Sequence, residues 1–361
     1  MITIAAGVSV DPYLLAAIGL GIGLIAGFVG VSGGYLLTPI LIVLGFPAPT
    51  AVGTATGLQS GNNLLAILRH RKLGHLDLKM GLIMAAGALL GAEGGLRLLH
   101  HVRDVGAHYA DVAVLATMLG ALGVVALSMV REVRRSTELL AAMLEADSAQ
   151  AEAEVHTAAC DFLQNLAVFP HIRFTKSKLR ISGWIVLLLG VTIGVLSGFL
   201  GVGGGFMSNP ALIYLIGQPS MMAVGTNLIA AFVAVSFSCF RHAMLGHVSL
   251  GAALMMLLGT AAGTQIGATG TAYVKGLAVR FVLAVSVVAA LVAPTLKLAW
   301  ILTGSHVVWL DGLARGVAIG QIFVPVSMIV VLLAMAWRHF HGLPVPRWAA
   351  ALMATKPHVR C

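Results

Sequence analysis

A cluster of glycines interrupts an apolar run twice in this chain, as GFVGVSGG at Gly27–Gly34 and again as GFLGVGGG at Gly198–Gly205. A backbone that breaks inside hydrocarbon must have its amides and carbonyls satisfied by other parts of the protein or by a polar cavity, so two such breaks constrain the fold strongly. Further pairs follow in register: Pro39 with Pro210, the AVGT at Ala51–Thr54 with that at Ala223–Thr226, Arg69-His70 with Arg241-His242, Gly74-His75 with Gly246-His247, and Gly91 with Gly263. The offset is 171 residues before AVGT and 172 from it onward. The chain is a duplicated membrane unit.

Composition agrees. Of 361 residues 59% are hydrophobic and 10% charged, against roughly 25% charged in a soluble domain. Apolar segments of membrane-spanning character are expected near 13–29, 35–45, 51–68, 77–98 and 110–130, then 183–199, 205–217, 221–240, 248–270, 277–302 and 312–336. The second segment of each set is short. Some eleven residues at about 1.5 Å each cover only half of a hydrocarbon core of about 30 Å, so the first two segments of each copy read as a hairpin that turns at the glycines and returns. An odd number of crossings per copy then sets the second copy upside down relative to the first. The expected fold is all-α: a polytopic membrane protein of two inverted repeats, each with a glycine-broken helical hairpin plus three crossing helices, and one extra C-terminal helix. The expected divisions are 1–130, first repeat; 131–181, cytoplasmic helical linker; 182–303, second repeat; 304–340, final transmembrane helix; 341–361, cytoplasmic tail.

Charge gives the orientation. With the N-terminus outside, 17 Lys and Arg fall inside and five outside, the sign that the positive-inside rule requires. The net charge of +9 is read in this way and not as a nucleic-acid footprint. No Lys or Arg precedes Arg69, so the first apolar stretch lacks the basic region of a cleaved signal and is expected to be a retained span. Cys160, Cys239 and Cys361 have no paired spacing, which argues against disulfides and against a thiolate metal site. Seven of the thirteen acidic residues fall between about 131 and 181. There Leu139, Leu140, Met143 and Leu144 mark one face of an amphipathic helix, read as a solvated linker or as a device for association. Gln164–Arg180 reads as a return along the membrane surface.

Half-helix ends at a membrane break combine first-turn N–H groups with the positive end of a helix dipole, which suits an anion. The candidates are Val31, Ser32, Gly33 and Gly34 in the first copy and Val202, Gly203, Gly204, Gly205 and Asn209 in the second; the bland reading of the same glycines is close helix packing. Polar side chains after AVGT form a second group: Thr54, Thr56, Gln59, Ser60, Asn62 and Asn63, with Thr226 and Asn227 in the other copy. Gln59 and Asn63 share a helix face, and interhelical hydrogen bonding is the competing role. Glu93 is the one carboxylate well inside an expected span and is a proton-coupling candidate, although Arg97 one turn on offers an ion pair. The pairs His70/His75 and His242/His247, five apart, do not stack on one helix face and read as loop polarity. No metal site, no cofactor and no enzymatic motif is expected: P-loop, HExxH and CxxC are all missing from the sequence.

GFVGVSGGYLLTPIL and GFLGVGGGFMSNPALI, each followed by AVGT and by a basic loop ending in Gly-His, resemble the two halves of the TauE/SafE family of membrane permeases, the sulfite exporters. The likeness covers about 13–130 and 183–336, and the long insert at 131–181 departs from the compact pattern. The resemblance implies a secondary transporter in the bacterial cytoplasmic membrane, with linker and C-terminus cytoplasmic, that exports small sulfur-containing anions such as sulfite, sulfoacetate or related organosulfonates at the expense of the proton-motive force. The partners it implies are the anion and membrane lipid, with a homodimer allowed and no nucleic acid. An anion channel, or a membrane scaffold or sensor acting through the linker helix, are the alternatives.

Overall fold

The computed structural model describes residues 2–3, 9–31, 33–72, 74, 76–146, 169–177, 179–274, 276–303, 308–346, 349 and 352–353. The first copy contributes α1 (Pro12–Val29), α2 (Gly34–Val43), α3 (Ala48–Lys72), α4 (Leu78–Val105) and α5 (Ala107–Ala146). The second contributes α6 (Gly183–Leu200), α7 (Gly205–Tyr214), α8 (Ser220–Met244), α9 (Leu250–Gly270), α10 (Gly276–Ala290), α11 (Val292–Leu302) and α12 (Val308–Phe340). Among the described residues eight segments are long and apolar enough to cross a membrane, and the protein is an all-α polytopic membrane protein.

The helices stop where the sequence breaks. Asp11 caps α1 by accepting from the Tyr13 amide at 2.8 Å, with Pro12 at the first helical position. At the far end Gly30 adopts φ 75°, and the N–H groups of Gly30 and Val31 both donate to the Ala26 carbonyl. Gly201 ends α6 with φ 69°. The short helices α2 and α7 then start from Gly33 (φ 71°) and Gly204 (φ 69°) and run ten residues each, with Pro39 and Pro210 inside them. Only glycine enters this left-handed region without strain, so the doubled cluster is where the chain turns.

The copies exchange partners reciprocally: α1 packs along α9, α4 along α6, and α3 against its counterpart α8. Glycine at every fourth residue makes the first two contacts. A Cβ added at Gly19, Gly23 or Gly27 of α1 would overlap the carbonyl of Met256, Thr260 or Thr264, and one at Gly259, Gly263 or Gly267 of α9 would overlap Ala16, Leu20 or Leu24. Gly87, Gly91 and Gly95 of α4 meet α6 in the same way, as do Gly190, Gly194 and Gly198 of α6 with α4. Backbones this close gain dispersion contact that lipid cannot replace, which is how small residues hold membrane helices together.

Three features differ from the sequence expectation. Helix α5 continues without a break from the fifth span through Ala146, across the expected boundary at 130. The expected surface return includes an antiparallel hairpin, β3 (His171–Phe174) with β4 (Leu179–Ser182), and a separate small pair, β1 (Ile2–Thr3) with β2 (Ser9–Val10), precedes α1. The β3–β4 turn is held by buried Asp77, which accepts from the Ser177 hydroxyl at 2.7 Å and its amide at 3.2 Å while capping α4 at Met80. The segment expected at 277–302 is two helices, α10 and α11, divided at Leu291.

Candidate functional site

The two glycine breaks face each other through hydrogen bonds that repeat across the duplication. The Thr38 hydroxyl of α2 donates to the Gly201 carbonyl at 3.4 Å, and the matching Asn209 amide of α7 donates to the Gly30 carbonyl at 3.3 Å. Thr54 and Thr226 form a second such set. Thr54 Oγ1 accepts from the Ser249 amide at 3.0 Å, and Thr226 Oγ1 from the Asp77 amide at 3.3 Å, so each AVGT threonine ties down the residue that precedes the fourth helix of the other copy. Thr226 also accepts from Gln218, which reaches Ser177 as well.

Other candidates break the symmetry. Gln59 of α3, fully buried, packs against Gly34 and donates through Nε2 to the Gly201 and Ala55 carbonyls, while its Oε1 has no hydrogen-bond partner. Asn63, one turn on, is buried with neither end of its amide paired. The matching positions of α8 hold Ala231 and Val235. In the second copy the Ser208 hydroxyl bridges Asn227 Oδ1 at 2.6 Å and the Gly204 carbonyl at 2.8 Å, and Asn209 Oδ1 is unpaired. Buried amides without partners cost free energy unless something completes them.

A cavity of about 50 Å³ opens beside the first break, lined among others by Gly30, Val31, Asn62, Asn63, His70, Thr264 and Gln265. Of the sequence candidates Val31 and Asn63 line it. Gly33, Gly34, Gln59, Val202, Gly203, Gly204, Gly205 and Asn209 form or support the breaks, Thr54 and Thr226 tie loops, Asn227 bonds Ser208, and Ser32 lies outside the described residues. Asn62, which the sequence grouped with Asn63 after AVGT, also lines the cavity and accepts from the Thr264 hydroxyl at 3.0 Å. Gln265, noted in the sequence only as the position opposite Glu93 in the repeat, lines the cavity as well.

Glu93 is an ion-pair centre. Arg97 Nε donates to its Oε1 at 2.8 Å, and Arg241 of α8 reaches both oxygens at 3.1 and 3.2 Å. The pair expected within α4 is there, and a second arginine from the other copy clamps α4 to α8.

The histidines do more than spacing suggested. Gly246 takes φ 70° and turns the chain so that the His247 amide donates back to the His242 carbonyl at 2.9 Å, a helix-ending turn that returns His247 to His242. His100 of α4 completes a group of three whose ligand-capable atoms all lie within 4.8 Å of one another. Burial pushes the His247 imidazole, which lies in the loop between α8 and α9, down to about 4, with the Arg103 and His100 charges adding. His75 lies outside the described residues.

Comparison with known proteins follows the same lines. The profile of the family described as "Sulfite exporter TauE/SafE" matches residues 15–294. A "Probable membrane transporter protein YjnA" of Bacillus subtilis (strain 168) is 26% identical over 260 residues, which span 69% of this chain and 86% of the relative. A "Probable membrane transporter protein" of Xylella fastidiosa (strain 9a5c) is 26% identical over 262 residues, 70% of this chain and 83% of the relative. No solved structure matches the chain.

Proposed function

From the chain's membership of the TauE/SafE sulfite exporter family, and thus from its being a membrane transporter, we propose that it is a secondary transporter of small sulfur-containing anions, sulfite or an organosulfonate, exporting them across the cytoplasmic membrane at the expense of the proton-motive force. The observation that carries this reading is the cavity beside Gly30, with the unpaired Asn63 amide on its wall. A side-chain amide offers two donors. Neutral donors hold an oxyanion without the tight ion pair that would slow its release. The two copies are inverted in this reading, and rocking of one against the other around the breaks alternates access to the two sides.

The test is anion binding by the purified protein across sulfite, sulfoacetate, thiosulfate and sulfate. Asn63→Ala is expected to weaken binding of the preferred anion about tenfold, the equivalent of one charge-assisted hydrogen bond of about 1.4 kcal/mol. Unchanged affinity in that variant would remove the cavity from the transport path.

A further inference from the structure

The three imidazoles His100, His242 and His247 stand apart from the cavity and take no part in the transport reading. They come from separate elements: the last two turns of α4, the last turn of α8, and the turn after it. Ring centroids are 5.3 Å apart for His100 and His247, 5.9 Å for His100 and His242, and 6.2 Å for His242 and His247. His242 is fully buried and His100 and His247 partly so. His100 Nε2, His247 Nδ1 and both nitrogens of His242 are buried without a full hydrogen bond; the Gly198 carbonyl faces His242 outside that geometry. Buried imidazole nitrogens left unpaired are costly, and three imidazoles converging within 4.8 Å call for a shared partner.

We propose that His100, His242 and His247 form a binding site for a late first-row divalent cation such as Zn²⁺. Nitrogen ligands at about 2.0–2.1 Å in a tetrahedral shell stand about 3.3 Å apart, so the present cluster closes on a metal with shifts of about 1 Å or slightly more. The His247 turn and the partly exposed His100 supply that movement. Three neutral imidazoles suit this class of ion and leave a fourth position for water. The Gly198 carbonyl stands where an outer-shell acceptor fixes the tautomer of a ligating histidine.

The site already attracts a cation. The exposed guanidinium of Arg103 lies 2.7 Å from His247 Nε2, and because arginine only donates, that nitrogen presents its lone pair while Nδ1 carries the proton, which makes Nε2 the atom open to a metal once Arg103 leaves. Arg103 therefore acts as a displaceable occupant, free to swing into solvent when the metal enters. Arg241 and Asp104 also act on His100 electrostatically, the first opposing and the second favouring positive charge there.

The experiment is a Zn²⁺ titration of the full chain in detergent, purified without a polyhistidine tag, followed by Co²⁺ substitution to read the coordination geometry. Wild type is expected to bind Zn²⁺ stoichiometrically and to give the intense visible bands of four-coordinate Co²⁺. Loss of an outer-shell partner alone costs a metal site about 10–100-fold, so His100→Gln and His247→Gln, both at partly exposed positions, should lose at least tenfold in affinity. Arg103→Gln should bind more tightly, since the competing cation is gone. Equal Zn²⁺ affinity in wild type and both histidine variants, or weaker binding in Arg103→Gln, would overturn the proposal; size-exclusion elution checks that each variant is folded.

Discussion

Thr38 and Asn209 show how a repeat assigns one task to two residue types. Each donates across the molecular centre to the glycine carbonyl that ends the other copy's first helix. Their local backgrounds differ, because Gly201 also receives Gln59. Thr38→Val is therefore expected to cost less than Asn209→Leu, with both inside the range of about 0.6–1.7 kcal/mol measured for interhelical hydrogen bonds. Unfolding midpoints in detergent check the order, and a larger loss for Thr38→Val would contradict it. At this scale the sequence is a partial guide. Polar residues after AVGT stood out by type, yet type does not separate Thr54, whose hydroxyl is spent on a backbone amide, from Asn63, whose amide is unspent. Glu93 was legible as a partner of Arg97 because that pair is local. Arg241 comes from 148 residues away, and only the packing of α4 against α8 brings it in.

Among the helices, the glycines divide into two trades that sequence alone left joined. Gly27 and Gly198 open the motifs yet belong to the fourth-residue stripes between α1 and α9 and between α6 and α4. The later glycines of each motif turn the chain, with positive φ at Gly30 and Gly33 and at Gly201, Gly203 and Gly204. Close packing and turning were both foreseeable for the cluster, but which glycine does which depends on the neighbour's backbone. Gly91→Val places its branched side chain against the Val191 carbonyl, where no flexible atom can yield. Overpacking costs about 1–3 kcal/mol even in forgiving cores, so loss at the upper end or beyond is expected. Gly94→Ala on the open side of the same helix meets nothing within 4 Å and should gain up to about 1 kcal/mol from helix propensity. Thermal midpoints of the two variants decide it; comparable stability would mean that α4 and α6 are not held by close approach.

Across the whole molecule, contacts between the copies come in matched pairs, Thr38–Gly201 with Asn209–Gly30 and Thr54–Ser249 with Thr226–Asp77, so the duplication is more than a trace of ancestry. The helical breaks, the repeat and most spans were readable because glycine clusters and apolar length are local signals. The histidine group was not, since it depends on where remote segments meet, nor was the anchoring of the β3–β4 turn by Asp77 from a hundred residues upstream. Inversion of the copies is tested by single cysteines at matched exposed positions, Arg71→Cys and Ala243→Cys in a cysteine-free background. A membrane-impermeant maleimide should label them from opposite sides, and labelling from the same side would contradict the inverted arrangement. The proposed carrier mechanism itself is tested most directly by counterflow. Proteoliposomes preloaded with unlabelled sulfite should transiently accumulate labelled sulfite against its gradient, because an alternating site exchanges one anion for another. Labelled sulfite that only equilibrates, at a rate linear in concentration and indifferent to the preload, would contradict it.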